Sequence, residues 1–310
     1  MGFWDFVRKR REAPREEDDA TLFDEEFQRR LDWLAVASRR IFAGRMRAER
    51  RTKKSGSGLE FADHREYARG DDLRTLDWAV YARSGRALVK LFEEEEDLAI
   101  YVLLDVSASM AWGDGKKFNH ARRLAAAMAY VGLANLDRVG MIAWSTKVTR
   151  RMPPARGKGR VFGVFEFLRG VKPDGETALA EAARTFAAEN KRRGVAVIVS
   201  DLYDPAGFER GLNAIRYQKF EPMVIHVVDP REASLGVDGD VTLVDVEDGT
   251  ARDVTLTPAL ADRYREAHAQ WRAEVEGFCK ARQVPYVAAD VTGSFEDQVL
   301  NLLRRGALVA

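Results

Sequence analysis

The chain has a single cysteine, Cys279, among 310 residues. No intramolecular disulfide can form, so the fold must rest on its core, and a reducing compartment, the cytoplasm, is the expected location. Histidine is scarce too. His64, His120, His226 and His268 share no metal-ligand spacing with one another or with Cys279, which sets aside the common zinc patterns. No stretch approaches the roughly 18–20 apolar residues that cross a bilayer. The opening Met1-Gly-Phe-Trp-Asp-Phe-Val-Arg-Lys-Arg-Arg has no uncharged core and no small-residue cleavage site, so it does not read as a signal peptide. Phe6 stands where myristoylation of Gly2 would want Ser or Thr. Net charge is also nearly absent: 50 Lys and Arg against 49 Asp and Glu leave +1. That excludes a globally basic nucleic-acid binder and leaves only local patches. There is no G-x-S-x-G elbow and no Walker A motif. Arg156-Gly-Lys-Gly-Arg160 is a basic turn that lacks the Gly-Lys-Ser/Thr ending.

What is present is a core, with 46% hydrophobic residues, and charge in blocks. Between Arg39 and Lys54, Arg39, Arg40, Arg45, Arg47, Arg50, Arg51, Lys53 and Lys54 face the single acid Glu49. Glu93-Glu94-Glu95-Glu96-Asp97 forms an acidic counterpart. Residues 1–20 read as a charged N-terminal segment. In it Phe3, Trp4, Phe6 and Val7 offer a peripheral membrane or partner contact, with a simple docked terminus as the alternative.

Residues 21–97 read as an N-terminal helix, a basic linker and a small β unit. Phe23, Phe27, Leu31, Leu34, Ile41 and Phe42 recur at helical spacing over 21–43. Lys54-Ser-Gly-Ser-Gly58 reads as a flexible connection. Turns at Gly70-Asp71-Asp72 and Ser84-Gly85-Arg86 bracket expected strands at Leu76–Ala82 and Ala87–Phe92.

From residue 98 to 310 strands and helices alternate, which predicts an α/β domain with a doubly wound, mostly parallel sheet. Leu98–Leu104, Val139–Ser145, Val195–Ser200, Met223–Val228 and Val284–Ala288 are the expected strands, with Val148–Met152 returning beside the second. Helices are expected at Phe118–Leu136, Val161–Leu168, Leu179–Glu189, Phe208–Tyr217, about 258–282 and Phe295–Arg304. Residues 237–254 read as a β-hairpin excursion with a turn at Glu247-Asp248-Gly249.

In open α/β sheets ligands bind outside the carboxyl ends of the strands. The first buried strand runs directly into Asp105-Val-Ser-Ala-Ser109. Alone, D-x-S-x-S would arise by chance in roughly one chain in ten; its place at a strand end sharpens it. Thr177, before a helix, and Asp201, after the second buried strand, add two more polar groups at element ends. All five are oxygen donors, suited to a hard cation such as Mg²⁺, or Mn²⁺ or Ca²⁺. If the neutral hydroxyls touch the ion and the aspartates act through water, the ion keeps most of its charge and holds an outside carboxylate. Helix capping by Ser, Thr and Asp is the alternative reading of the same residues.

The strand followed by Asp105, Ser107 and Ser109, then Thr177, then Asp201, resembles the von Willebrand factor A fold and its metal-ion-dependent adhesion site. A second match lies upstream. Gly58-Leu-Glu-Phe-Ala-Asp-His-Arg-Glu-Tyr-Ala-Arg-Gly-Asp-Asp72, with Arg74, Asp77-Trp78 and Ala82-Arg83, resembles a bacterial family of unknown function that carries such a module. Pro153-Pro154-Ala-Arg-Gly157 resembles the same family. The likeness covers roughly residues 55–230. It implies a non-enzymatic, metal-dependent adaptor or chaperone-like role beside a MoxR-type AAA+ ATPase, through a partner's exposed Asp or Glu.

Glu60, Arg65, Glu66, Asp71, Asp72, Arg74, Asp77 and Trp78 form a candidate interaction surface. The structural alternative pairs Arg65, Arg74 and Arg83 with the acids and packs Trp78 on the main domain. Arg69-Gly70-Asp71 reads as a tight turn. Two further functions stay open: an Mg²⁺-dependent phosphohydrolase using Asp105, and nucleic-acid or acidic-surface binding through residues 39–54. The first wants a second acid where Ser107 stands. The second lacks interleaved aromatics for stacking bases.

Overall fold

The computed structural model describes residues 6–7, 22–42, 51–55, 60–95, 99–234, 236 and 239–309. The described strands are β1 (Phe6–Val7), β2 (Arg51–Ser55), β3 (Glu60–Glu66), β4 (Leu88–Glu95), β5 (Ala99–Asp105), β6 (Arg138–Trp144), β7 (Val148–Arg156), β8 (Val195–Ser200), β9 (Glu221–Val228), β10 (Gly239–Val244), β11 (Ala251–Leu256) and β12 (Tyr286–Asp290). The described helices are α1 (Glu25–Phe42), α2 (Trp78–Ser84), α3 (Lys116–Ala134), α4 (Val161–Arg169), α5 (Leu179–Glu189), α6 (Phe208–Tyr217), α7 (Pro258–Ala281) and α8 (Phe295–Val309). By their internal contacts the residues divide into two units, Met1–Arg39 with Ala99–Ala310, and Arg40–Leu98.

The larger unit is α/β. Its sheet has six strands in the order β12-β9-β8-β5-β6-β7. All neighbours run parallel except β6 and β7, which pair antiparallel. The cause is visible in the residues. Tyr101, Val102, Leu103 and Leu104 of β5 and Val197, Ile198 and Val199 of β8 are all buried, as strands covered on both faces require. Alternation then sorts them. Tyr101, Leu103, Ile142, Trp144 and Ile198 share a core with Leu179 and Phe186 of α5, Leu212 of α6 and Val275 and Cys279 of α7. The other parity faces α3, whose Ala121, Leu124, Ala125 and Met128 are buried and which lies against β5, β6 and β8. Each such Leu, Ile or Val contributes about 1.5–3 kcal/mol on burial. Edge strand β7 carries Pro153 and Pro154, which a central strand could not accept.

The expected grouping of the N-terminal helix with the small β unit is corrected: α1 falls with the main sheet. The buried Phe23, in the turn just before α1, stacks on Phe165 of α4, while within α1 Phe27 tilts against Phe295 of α8 and Arg30 pairs with Glu296. A second sheet in this unit joins β1, β10 and β11, so the expected hairpin excursion is present, with Phe6 and Val7 paired to Val244 and Leu243.

In the smaller unit, β4 runs between β2 and β3. The expected flexible connection is corrected over Lys54–Ser55, which belong to β2; residues 56–58 lie outside the described residues, as do 43–50 of the basic run. The backbone register sets Arg51 opposite Glu95 and Lys53 opposite Glu93, so positions from the end of the basic run and from the acidic run face each other along the ladder. The expected strand Leu76–Ala82 is also corrected. Trp78–Ser84 is a helix: Asp77 accepts from the N–H groups of Ala79 and Val80 as its N-cap, and Gly85 closes it at φ 67°. These caps outweigh the β-leaning Trp-Ala-Val-Tyr composition.

Candidate functional site at the crossing point of the sheet

Counted along the chain, the strands of the main sheet go from β5 outward to β6 and β7, then return past β5 to β8. The order therefore reverses between β5 and β8, which pair directly. A crevice outside the carboxyl ends of such a strand pair is where open α/β sheets bind ligands. Asp105 ends β5 and Asp201 follows β8. Both are completely buried, as is Ser107, while Thr177 is 6% exposed.

Backbone bonds bring the loops together. The Ala108 N–H donates to Gly175 O at 2.8 Å and the Asp174 N–H to Val106 O at 2.7 Å. Gly175 has φ +78°, a conformation that favours glycine. The loop 105–109 is thus tied to the loop carrying Thr177, and all five sequence-derived residues come to this one end of the sheet. Each has a defined local role. Asp105 Oδ1 accepts from the Ser107 N–H at 2.9 Å, and Oδ2 from the Ser200 hydroxyl at 2.5 Å. The hydroxyls of Ser107 and Ser109 are hydrogen-bonded to each other at 3.0 Å. Thr177 donates its N–H to Glu247 Oε2 at 3.1 Å, yet its hydroxyl oxygen is buried without a well-formed hydrogen bond. Leu202, next to Asp201, holds φ 61°, a conformation a leucine adopts only where its surroundings impose it.

Three charged residues at the site went unread in the sequence. Lys117, fully buried on the first turn of α3, donates to Asp201 Oδ2 at 2.6 Å and to Glu232 Oε1 at 2.6 Å. A helix N-terminus disfavours a cation by about 0.3–1 kcal/mol, a small term beside two buried carboxylates. Burial also works against the ammonium, but Asp201 and Glu232 more than offset it and hold the Lys117 pKa above its ordinary value. Lys117 shares its helical face with Ala121, Leu124 and Met128, which is the one sequence signal that could have marked it as internal. Glu232 follows β9 and is raised by burial, against the pull of Lys117. Glu247 comes from the turn of the β10–β11 hairpin; a turn glutamate gives no sign in sequence of reaching a distant loop.

The charge balance is uneven. Burial, then the charge of Asp201, pushes Asp105 up to about 7. Burial likewise raises Glu247 to about 7. Such shifts mark carboxylates that lack a counter-ion. Among the described residues no three His, Cys, Asp or Glu side chains gather in a metal-binding arrangement, so an ion here would depend on hydroxyl donors. Those donors fit one. Adjacent oxygens of an octahedral Mg²⁺ at about 2.1 Å stand about 3.0 Å apart, the separation of the Ser107 and Ser109 hydroxyls. The Thr177 oxygen, buried without a well-formed hydrogen bond, would supply a third neutral donor.

The histidines are engaged elsewhere: His64 with Asp77, His120 with Gln298, His226 with Tyr286 and His268 with Tyr203. In the smaller unit, three acids of the candidate interaction surface, Asp71, Asp72 and Asp77, are tied locally. Arg65 pairs with Asp71 at 2.8 Å, Arg74 with Asp72 at 2.9 Å, and Asp77 with His64 at 3.0 Å. Arg83 departs from the expected acid pairing and donates to Ala79 O. Asp71 also accepts from the Ala68 N–H, with Gly70 at φ 108°, so Arg69-Gly70-Asp71 is a turn. Trp78 is 59% exposed, edge-on to Tyr81, rather than packed into a core.

Fold and site define a class: an α/β protein with a mixed six-stranded sheet and a cluster of oxygen-bearing side chains where its strand order reverses. The chain belongs to the family described as Protein of unknown function DUF58, which matches residues 63–274. It is 31% identical over 265 residues, 82% of each chain, to Uncharacterized protein Rv1480 of Mycobacterium tuberculosis (strain ATCC 25618 / H37Rv). Over 142 residues, 45% of this chain and 81% of the relative, it is 34% identical to Uncharacterized protein MAV169 of Mycobacterium avium. Among solved structures it is similar to the conserved hypothetical protein BatB from Bacteroides thetaiotaomicron, with a TM-score of 0.43 and 15% identity over 69% of this chain and 100% of that one. It is also similar to an aerotolerance-related membrane protein from Bacteroides fragilis NCTC 9343, with a TM-score of 0.41 and 16% identity over 66% and 98%. Among the described residues no helix is long and apolar enough to cross a membrane.

Proposed function

We propose that the chain is a von Willebrand factor A-like, non-enzymatic interaction module whose adhesion site holds Mg²⁺ and, through it, a carboxylate on a protein partner. The observation that carries this reading is the oxygen geometry. Two hydroxyls stand at the spacing of adjacent octahedral ligands, beside a buried threonine oxygen with nothing well placed to bond. Ser107, Ser109 and Thr177 hold the ion, and Asp105 and Asp201 balance it from behind. Bound there, Mg²⁺ supplies a positive charge that neutral donors leave largely unquenched.

The binding reading draws more support than the phosphohydrolase alternative. Both oxygens of Asp105 are already engaged, by Ser107 and Ser200, whereas a nucleophilic carboxylate needs one oxygen free for attack. The resemblance to a MoxR-associated family makes an AAA+ ATPase the partner of this proposal, and the single, buried Cys279 suits a cytoplasmic setting. The test is a pull-down from native extract, with Mg²⁺ or EDTA, comparing wild type with Ser107→Ala. An AAA+ ATPase recovered only by wild type with Mg²⁺ is the expected result. Recovery that ignores both EDTA and Ser107→Ala sinks the reading.

A further inference from the structure

The β10–β11 hairpin puts its residues the wrong way round for a surface loop. Val246 at its tip is 49% exposed, while the neighbouring Glu247 turns inward, one carboxylate oxygen bonded to the Thr177 N–H and the other buried without a partner. Apolar out and acid in costs free energy unless the acid has a task. The turn is built to hold this pose. Asp245 Oδ1 accepts from the Glu247 N–H at 2.7 Å, the Asp245 N–H donates to Thr250 O at 2.8 Å, and the Gly249 N–H to Asp245 O at 3.1 Å.

The target of the pose is the candidate ion site. The hydroxyls of Thr177 and Ser109 lie near enough to stabilise the charged form of Glu247, and Asp201 near enough to oppose it. Thr177, which bonds it, and Ser109 thus lie beside one carboxylate from another part of the chain, with Asp201 within electrostatic reach. Among the described residues no cation pairs with it, and Lys117 is spent on Asp201 and Glu232.

We propose that Glu247 is the chain's own carboxylate for the adhesion site, occupying the position a partner's Asp or Glu takes, with the hairpin as a displaceable cover. This rests on the adhesion reading and adds its regulation: a partner binds by competing with Glu247. The hairpin suits displacement. Beyond Leu256, its strands are exposed or only half-buried, and they pair with each other and with the two residues of β1. Little buried apolar surface opposes opening.

The test uses Mn²⁺ with the full chain and reads water-proton relaxation per bound ion, which rises as protein ligands give way to water. Wild type, Glu247→Ala and Glu247→Gln are compared, with Ser107→Ala as the site control and sodium acetate as a small carboxylate probe. Both Glu247 variants are expected to weaken Mn²⁺ binding at least about tenfold and to show higher relaxation per bound ion. Acetate is expected to lower that value in the variants and leave wild type unchanged. Glu247→Gln keeps the size of the side chain, so a collapsed hairpin would separate it from Glu247→Ala. If wild type binds Mn²⁺, Ser107→Ala loses it, and the Glu247 variants match wild type in relaxation and acetate response, the cover proposal is overturned and the adhesion reading stands. Wild type that takes up no Mn²⁺ overturns both.

Discussion

In residues 40–98, Asp71, Asp72 and Asp77 are each held below the usual carboxylate range, chiefly by bonds from Arg65, Arg74 and His64. At the carboxyl edge of the main sheet, burial pushes Asp105, Glu232 and Glu247 the other way. Both places are rich in acids, and both drew attention in the sequence. The difference is what answers the charge. In the first, each of these three acids meets a cation or N–H donor within a few residues or across one strand. In the second, one lysine answers two carboxylates, and Asp105 and Glu247 are left over. Local pairing is the mark of a scaffold, and buried surplus charge the mark of a place that expects a visitor.

The contrast breaks most sharply at Lys117. Lys117→Met leaves Asp201 and Glu232 buried without their cation, and equilibrium urea unfolding in metal-free buffer should record a loss of about 3–5 kcal/mol. Arg74→Ala, which removes an exposed pair, should leave the midpoint where it was. Equal losses would erase the distinction.

Next in size is the response to metal. Mg²⁺ at about 100 times its dissociation constant should add about 2.7 kcal/mol to unfolding. Thr177→Val keeps the shape and removes the unpartnered oxygen. The metal-free variant should therefore be as stable as wild type or slightly more so, while its Mg²⁺ response is lost. A variant that is weakened without metal and still answers Mg²⁺ would place the Thr177 hydroxyl in the scaffold.

The smallest effect concerns pH. Asp77 is lowered to about 2, first by His64 and then by the Val80 N–H, against about 3.9 for an unfolded aspartate. Its stabilising contribution is fully present above the unfolded value and disappears as pH falls through about 2. Wild type should exceed Asp77→Asn in resistance to unfolding at pH 5, and the gap should close toward pH 2. Asparagine preserves the helix cap, so the ionic part alone is read. A gap that stays constant over this range would contradict it.

The α/β character and the strand ends were legible because the buried strands are short apolar runs, and those of β5, β8, β9 and β12 stop at an aspartate, a pattern with few other causes. Asp105 and Asp201 declared themselves by position. The strand expected at Leu76–Ala82 rests on the β-leaning run Trp78-Ala-Val-Tyr81, although Asp77 and Gly85 at the ends of the helix were the better signal. Lys117 and Glu247 were invisible for different reasons. The first looks like half of an ordinary lysine pair opening a helix. The second depends on a hairpin folding back 70 residues along the chain to Thr177, a relation that no local spacing encodes. The charge blocks holding Arg51, Lys53, Glu93 and Glu95 were written in the sequence, but only the ladder register sets their positions opposite each other.

The two peptide straps between Ala108 and Gly175 and between Asp174 and Val106 make oxygen spacing a main-chain property. Exchanging side chains at 106, 108 and 174 can retune chemistry while the gap from the serine pair to the threonine is kept, whereas Gly175 at φ +78° must stay. Proline, with no hydrogen to donate, is the natural scissors: at 108 or 174 it would cut one strap and let two halves of a single instrument drift apart.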